Sequence, residues 1–457
     1  MRKLLTIIAV LLICGTASAK DFNPRKVVLN LAVISDTHVN GYYSVPAYKF
    51  RSALIQERDY AAQFGGLDGV VVVGDLADSP AWDLKKYTEF NDWKRLYESV
   101  LNPKVVPMVF TVGNHDTYHE WSERTYEEAQ KIYKILGPNY FQTDVDTPEM
   151  RDNFGCRHCV IGGCHILSVV PDGRNPVVYP KESIEWLDAQ LKTLTEKDPD
   201  KYVLVLTHAM IYGTIYGSYL DDVYPKGNGY WSTKALTDVL DKYPQAVVFG
   251  GHLHFPLNEP RSIWQGAFTS IGTASVRYMA IDNGGYDDMA DLTIMRDREE
   301  FSQGLLLQFD KRGNLCVQRM DFYNQTTIGE PWTVKRPAKD GSHLAKYNHQ
   351  ALAAANKAPV LRELKAMGGE NKVKVVWSAA EDDEFAHTYF LTVSKDGAVV
   401  ATRKVLADFY RAPKPSQMKK VWTRDISLEP GDYEVSLYAV DSWGAESNFL
   451  TQRCKVL

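Results

Sequence analysis

The chain lacks any long apolar run after residue 13, so no later segment is built to cross a bilayer as a helix, which takes about 20 apolar residues. It also lacks an excess of either charge. The 52 Lys and Arg against 57 Asp and Glu leave a formal net charge of −5, without the basic footprint of sequence-independent nucleic-acid binders. Internal repeats are absent, which argues against a repeat array. Cysteine is scarce, six in 457 residues. What remains is ordinary for a globular protein, 45% hydrophobic and 24% charged, and the length calls for two domains.

The N-terminus reads as a targeting segment. Arg2 and Lys3 form a positive start, Leu4 to Ile13 is apolar, and Ala17-Ser18-Ala19 is the small-x-small pattern of a cleavage site. Residues 1–19 are therefore expected to be a signal peptide, making this an exported bacterial protein with the periplasm as its destination. A lipoprotein attached through Cys14 is the alternative, although Ile13 stands where a small residue is usual. Cleavage leaves Cys156, Cys159, Cys164, Cys316 and Cys454. That odd count leaves at least one thiol free or paired between chains. The first three lie in alternating segments around Gly162-Gly163, a hairpin signal, and read as buried strand thiols rather than a bridge or a zinc site.

Five short motifs follow apolar runs rich in β-branched residues: Asp36-Thr37-His38, Gly74-Asp75, Gly113-Asn114-His115-Asp116, His208, and Gly251-His252-Leu253-His254. The runs read as buried parallel strands, and ligands gather at the carboxyl ends of strands in α/β folds. Asp, Asn and His are oxygen and imidazole donors suited to divalent metals. In Asp36-x-His38 and His252-x-His254, alternate residues leave a strand end on the same side. One Asp75 carboxylate has two oxygens and can serve two ions.

In this order and placement the motifs resemble the calcineurin-like metallophosphoesterases over residues 30 to about 335. The resemblance implies an α/β (α+β layered) core of two facing sheets flanked by helices. It implies two divalent metal ions (Fe, Zn or Mn), one held by Asp36, His38 and His254, the other by Asn114, His208 and His252, with Asp75 bridging. A water activated between the ions would attack phosphorus. His115 would stabilise the transition state or protonate the leaving oxygen, and Asp116 would orient the His115 ring. Purple acid phosphatases carry a tyrosine three residues after the bridging aspartate. Here that position is Asp78, which reads as a helix cap and turns the resemblance toward the phosphodiesterase-type branch.

The expected activity is hydrolysis of a small phosphoester, monoester or diester. The alternatives are a non-catalytic metal-binding scaffold of the same fold, or a cell-envelope hydrolase of lipid or glycan phosphates. Residues 209–231 are rich in rings, and Tyr212, Tyr216 and Tyr219 are candidate substrate contacts. The acidic segment 280–300 reads as a solvated loop. One strand is expected over 265–271.

The metallophosphoesterase pattern, residues 20–337, ends near Pro337, and residues 338–357 read as a linker with room for one helical turn or more. From 358 to 457 short strands recur every 8 to 15 residues, the spacing of a β-sandwich. Trp377 and Leu428-x-Pro430-x-x-Tyr433 resemble the fibronectin type III pattern, with Tyr433 as its corner tyrosine. This all-β sandwich is expected to be self-contained and available for cell-envelope contact.

Overall fold

The structure is a computed structural model that describes residues 22–79, 85–117, 125–136, 155–171, 177–218, 233–291 and 293–457. The signal-peptide reading, Tyr219 and the rings at 224, 230 and 231 lie outside these residues.

Two mixed sheets form the first body. In the first, the parallel strands Val27–Ile34, Gly69–Val73 and Met108–Thr111 lie side by side, and Gln303–Asp310 and Leu315–Asp321 extend the sheet antiparallel beyond Val27–Ile34. In the second, Cys164–Ser168, Val203–Leu206, Ala246–Gly250 and Thr269–Gly272 are parallel neighbours. The Arg157–Ile161 strand closes one edge as a hairpin through Gly162-Gly163, and Cys156, Cys159 and Cys164 in and beside this hairpin are buried.

The runs of consecutive apolar residues are explained by burial of both faces. Leu31, Val33, Val71 and Val73 join Leu204, Leu206, Val247 and Phe249 in the core between the sheets. The alternate residues Ala32, Ile34, Val70 and Val72 turn outward to a second core. Helices Val45–Ala61 and Lys85–Glu98 cover that face with Phe50, Trp93 and Tyr97, whose rings stack in series. A period of two thus sorts one run into two cores.

The expected strand over 265–271 is instead two. Ile263–Gln265 turns back through Gly266 and pairs antiparallel with Thr269–Gly272.

The C-terminal body is two antiparallel sheets of three and four strands, running from Leu364 to Val456. Trp377 packs between Tyr389 and Trp422 in its core. Tyr433 donates from its hydroxyl to the Glu429 carbonyl at 2.8 Å, the corner contact of fibronectin-like sandwiches. The first strand, Leu364–Gly369, has no counterpart in the sequence-based reading. It carries exposed Lys365 and Met367 and ends in Gly368-Gly369, so it shows no clean alternation.

The segment between the bodies is not open chain. It holds a helix at His349–Ala355, and Tyr347 and His349 bond back to Gln265 and Ile263. The acidic segment 280–300 is not a solvated loop either. Asp287 and Asp288 face Arg403 and Arg424 of the sandwich, and Tyr410 donates to Asp297 at 3.1 Å. Buried apolar side chains of the two bodies form one connected cluster that runs from Leu206 and Phe255 to Phe409 and Val435. The interface also buries polar groups. Glu259, fully buried, accepts from Ser442 at 3.2 Å and lies 3.5 Å from His387, and Asn258 donates to the Ala412 carbonyl.

Glu57, on the inner side of the Val45–Ala61 helix, is fully buried, and neither carboxyl oxygen has a hydrogen-bond partner among the described residues. Burial pushes its carboxyl well above the usual 4.5. The folded state therefore keeps the proton, and this contribution to stability is complete below pH 4.5 and is lost as pH rises toward the folded pKa. Glu57→Met, similar in size, should raise the melting temperature at pH 8 more than at pH 5. The gain should reflect about 1–3 kcal/mol for a buried unpaired polar group. An unchanged or lower melting temperature at pH 8 would show that Glu57 has a partner in the folded protein.

Candidate metal centre

Each sequence motif lands one to five residues beyond a parallel strand, and most of the turns that carry them are strained. Asp36, His38, Asp75, His252 and His254 all have positive φ, between 44° and 66°. Non-glycine residues avoid this region, at a cost of about 1–3 kcal/mol each, and it is tolerated where a site requires it. The loops also approach too closely for side chains at two glycines. A Cβ at Gly113 would lie 2.1 Å from Asp75 Oδ1, and one at Gly251 would lie 2.4 Å from Asp36 Oδ2.

The structure brings the seven expected ligands together in two groups that meet at Asp75. On one side, His254 Nε2 lies 3.0 Å from Asp36 Oδ1 and 3.4 Å from His38 Nε2. On the other, His208 Nε2 lies 3.0 Å from Asn114 Oδ1, and the His208 and His252 rings are 5.1 Å apart. Asp75 Oδ2 is 3.8 Å from His38 Nε2 and 3.3 Å from His208 Nε2, so one oxygen reaches both groups. Its other oxygen accepts the His115 amide at 2.9 Å, which fixes the carboxylate. Asp36, His38 and His254 form one set of ligand atoms close enough to share an ion, and Asp75, His208 and His252 form another.

The donors fit divalent cations on their own chemistry. The Nδ1 of His208 faces the Val73 carbonyl at 2.9 Å, and that of His254 faces the Tyr278 carbonyl at 3.1 Å. A carbonyl only accepts, so each Nδ1 carries a proton, and in the neutral ring each Nε2 lone pair points inward. Lone pairs converging in a dry site are unfavourable without a cation between them. Burial alone would raise the carboxyls, yet His254 holds Asp36 below, and His208 holds Asp75 well below, the usual range. Burial opposes charging His208, but Asp75 and Asp36 push it up to about 10. His252 moves the other way, to about 3, through burial and the nearby His208. The cluster cannot hold a proton on every imidazole, and it attracts positive charge.

His115 stands edge-on to His38, ring centroids 4.6 Å apart, and shares a potential ligand set with His38 and Asp75. Its orientation does not come from Asp116 as expected. Asp116 is fully buried and spends both oxygens on backbone amides, Oδ1 on Leu76 and Ala77 and Oδ2 on Gly113. It ties the Gly113 turn to the Asp75 turn. The His115 ring is instead held by the Asp78 carbonyl, 2.9 Å from Nδ1. The segment that Asp78 was expected to cap begins outside the described residues; Asp78 also places its carboxylate 3.3 Å from His38 Nδ1, so it faces two imidazoles. Its spacing from Asp75 was the only signal for that role. Tyr278 had none. Its ring lies 4.3 Å from that of His254 and 5.9 Å from that of His38, and walls the first group.

Of the candidate substrate rings, Tyr212 is exposed. Tyr216 is buried against Phe255, with Arg261 over its ring at 3.8 Å, its hydroxyl on Asp282, and His387 of the sandwich 5.9 Å away. It belongs to the junction of the two bodies.

Residues 29–256 match the family model "Calcineurin-like phosphoesterase", and this part of the chain belongs to that family. No curated protein matches the chain in sequence. Among solved structures, a purple acid phosphatase from yellow lupin (Lupinus luteus) seeds is 13% identical with a TM-score of 0.46, over 70% of this chain and 56% of the lupin chain. A family 76 glycoside hydrolase from Bacteroides thetaiotaomicron is 13% identical with a TM-score of 0.17, over 22% of this chain and 21% of that one. Fibronectin(III)-like modules of Clostridium thermocellum are 18% identical with a TM-score of 0.15, over 21% of this chain and 94% of the module. The chain thus spans about a fifth of the glycoside hydrolase and just over half of the lupin enzyme.

Proposed function

We propose that this chain is an exported two-metal phosphohydrolase that cleaves a phosphomonoester or phosphodiester. The observation that carries the reading is the meeting of Asp36, His38 and His254 with Asn114, His208 and His252 across Asp75, at the ends of five strands. Divalent ions held there, iron, zinc or manganese, would supply Lewis acidity to the phosphoryl oxygens and an activated water.

The chain's own residues orient and shuttle. Asp75 turns one oxygen to both groups because the His115 amide holds the other. The Asp78 carbonyl accepts a hydrogen bond from the Nδ1–H of His115, which leaves Nε2 for a phosphoryl or leaving-group oxygen. Tyr278 covers the first group and limits water there. Export is read from the Leu4–Ile13 run and Ala17-Ser18-Ala19. Among the described residues no helix is long and apolar enough to cross a membrane.

Hydrolysis of bis(4-nitrophenyl) phosphate and of 4-nitrophenyl phosphate by the metal-loaded protein tests the reading, and their ratio assigns diester or monoester preference. No turnover of either with two metals bound would leave the scaffold alternative. His115→Ala should lower kcat by about 10²–10⁴-fold with both metals retained. Loss of one metal in that variant would make His115 a ligand.

Tyr212 stands four residues past His208 and is exposed. Tyr212→Ala should raise KM for thymidine 5′-(4-nitrophenyl) phosphate by about 5- to 150-fold, the worth of one stacking contact, with little change for 4-nitrophenyl phosphate. Equal effects on both esters would mean that the ring only packs its loop.

A further inference from the structure

A cavity of about 500 Å³ lies where the two bodies and the intervening segment meet. That is within the range of small-molecule sites, about 300–1,000 Å³. The metallophosphoesterase body contributes Arg319 and Trp332, the intervening segment Tyr347, and the sandwich Asp383, Glu384 and Trp443. We propose that this cavity is a binding site for a neutral oligosaccharide, separate from the metal centre.

Three observations select that class of ligand. The first is the rings. Trp332, Tyr347 and Trp443 come from three separate stretches of chain, and each has a cation or a ring packed beside it. The Arg319 guanidinium lies 4.6 Å over the Trp332 ring, Lys346 5.3 Å over that of Tyr347, and the His349 ring 5.4 Å from that of Trp443. Braced aromatic faces suit the C–H faces of sugar rings, since an aromatic face is electron-rich and apolar. The second is an unspent donor. Arg319 is buried. Its Nη1 and Nη2 donate to the carbonyls of Leu257 and Glu330, and its Nε has no partner among the described residues. A buried donor without a partner is unfavourable, and a ligand hydroxyl would remove that cost.

The third is charge. Glu330, Asp383 and Glu384 would repel an anion, and of the two cations that line the wall among the described residues, Arg319 has two of its three nitrogens engaged and Lys346 donates to Thr333. The same buried guanidinium would repel a cation. A ligand with many hydroxyls and no charge satisfies both signs, accepting from Arg319 and donating to the carboxylates. The Glu384 carboxylate already accepts from the Trp443 indole at 3.2 Å, which fixes an acceptor beside a ring. Occupancy would clamp the sandwich to the metallophosphoesterase body. A glycan polymer carrying phosphoesters would then be held by the same chain that cleaves them.

The test is calorimetric titration of the full-length protein with cello-, malto-, manno- and chito-trisaccharides. At least one should bind saturably at one site per chain. Trp443→Ala should weaken that binding by at least tenfold. Glu384→Gln, which keeps the shape and loses the charge, should weaken it while leaving the melting temperature unchanged. Neither variant should alter kcat/KM for bis(4-nitrophenyl) phosphate, because neither residue touches the metal centre. This last comparison keeps the proposal separable from the hydrolase reading, since sugar binding can be scored whether or not the ester is cleaved. No saturable binding of any of the four sugars would overturn the proposal. So would equal affinity in wild type and Trp443→Ala, or binding of tetramethylammonium or inorganic phosphate in place of the sugars.

Discussion

Asp75→Ala should abolish phosphoester hydrolysis and empty both metal positions. Every other expected ligand belongs to one group, whereas Asp75 Oδ2 lies within 3.8 Å of His38 Nε2 and 3.3 Å of His208 Nε2. Residues that merely orient a ligand are worth about 10–100-fold in affinity or activity, so loss of the shared carboxylate should exceed that range. The substitution also removes the acceptor of the His115 amide and the main charge beside His208. Metal analysis of purified variants, read against His208→Ala and His254→Ala, checks the assignment. Each single-group variant should lose one ion more than the other, and Asp75→Ala should lose both. A variant at position 75 with two metals and turnover within tenfold of wild type would mean that the two groups are independent.

A chain ending at Pro337 should fail to accumulate as a soluble monomer. Read from the sequence, the sandwich looks self-contained, and its removal would be harmless. The structure reverses that expectation, because one apolar cluster runs through both bodies. Removal would take Ser442 and His387 from the buried Glu259, and Ala412 from Asn258, and would strip the cover from Tyr216. Exposing one large buried side chain costs about 1.5–3 kcal/mol. A handful of them consumes the 5–15 kcal/mol that a folded protein holds in reserve. Soluble yield, gel filtration and thermal unfolding of the fragment decide this. A monomeric fragment with the melting temperature of the full chain would show that the interface contributes little.

Much of the candidate metal centre was legible because its candidate ligands follow strands whose burial is written in consecutive residues. Val70 to Val73 can only be a strand buried on both faces, and such a strand delivers Gly74-Asp75 to its carboxyl end. The same holds for Val203 to Leu206 before His208. Misreadings cluster where a partner lies far along the chain. Asp116 was assigned to its neighbour His115, but its amide partners Leu76 and Ala77 are some forty residues upstream. Segment 280–300 looked solvated because its cationic partners Arg403 and Arg424 lie more than a hundred residues downstream. The 265–271 run was split because Gly266 lets the chain turn back on itself, which apolar content alone does not report.

The sequence by itself determined the layered α/β core, the gathering of Asp36, His38, Asp75, Asn114, His208, His252 and His254 at strand ends, and the sandwich with its Tyr433 corner. These depend on local period and spacing, and neighbours in sequence carry them. Tertiary structure alone decided that Asp78 holds two imidazoles, that Tyr278 walls the first group, that Tyr216 is buried at the junction, and that the two bodies share a core. Each of these depends on which residues meet after the sheets stack and the sandwich docks, and that meeting leaves no periodic trace in the chain.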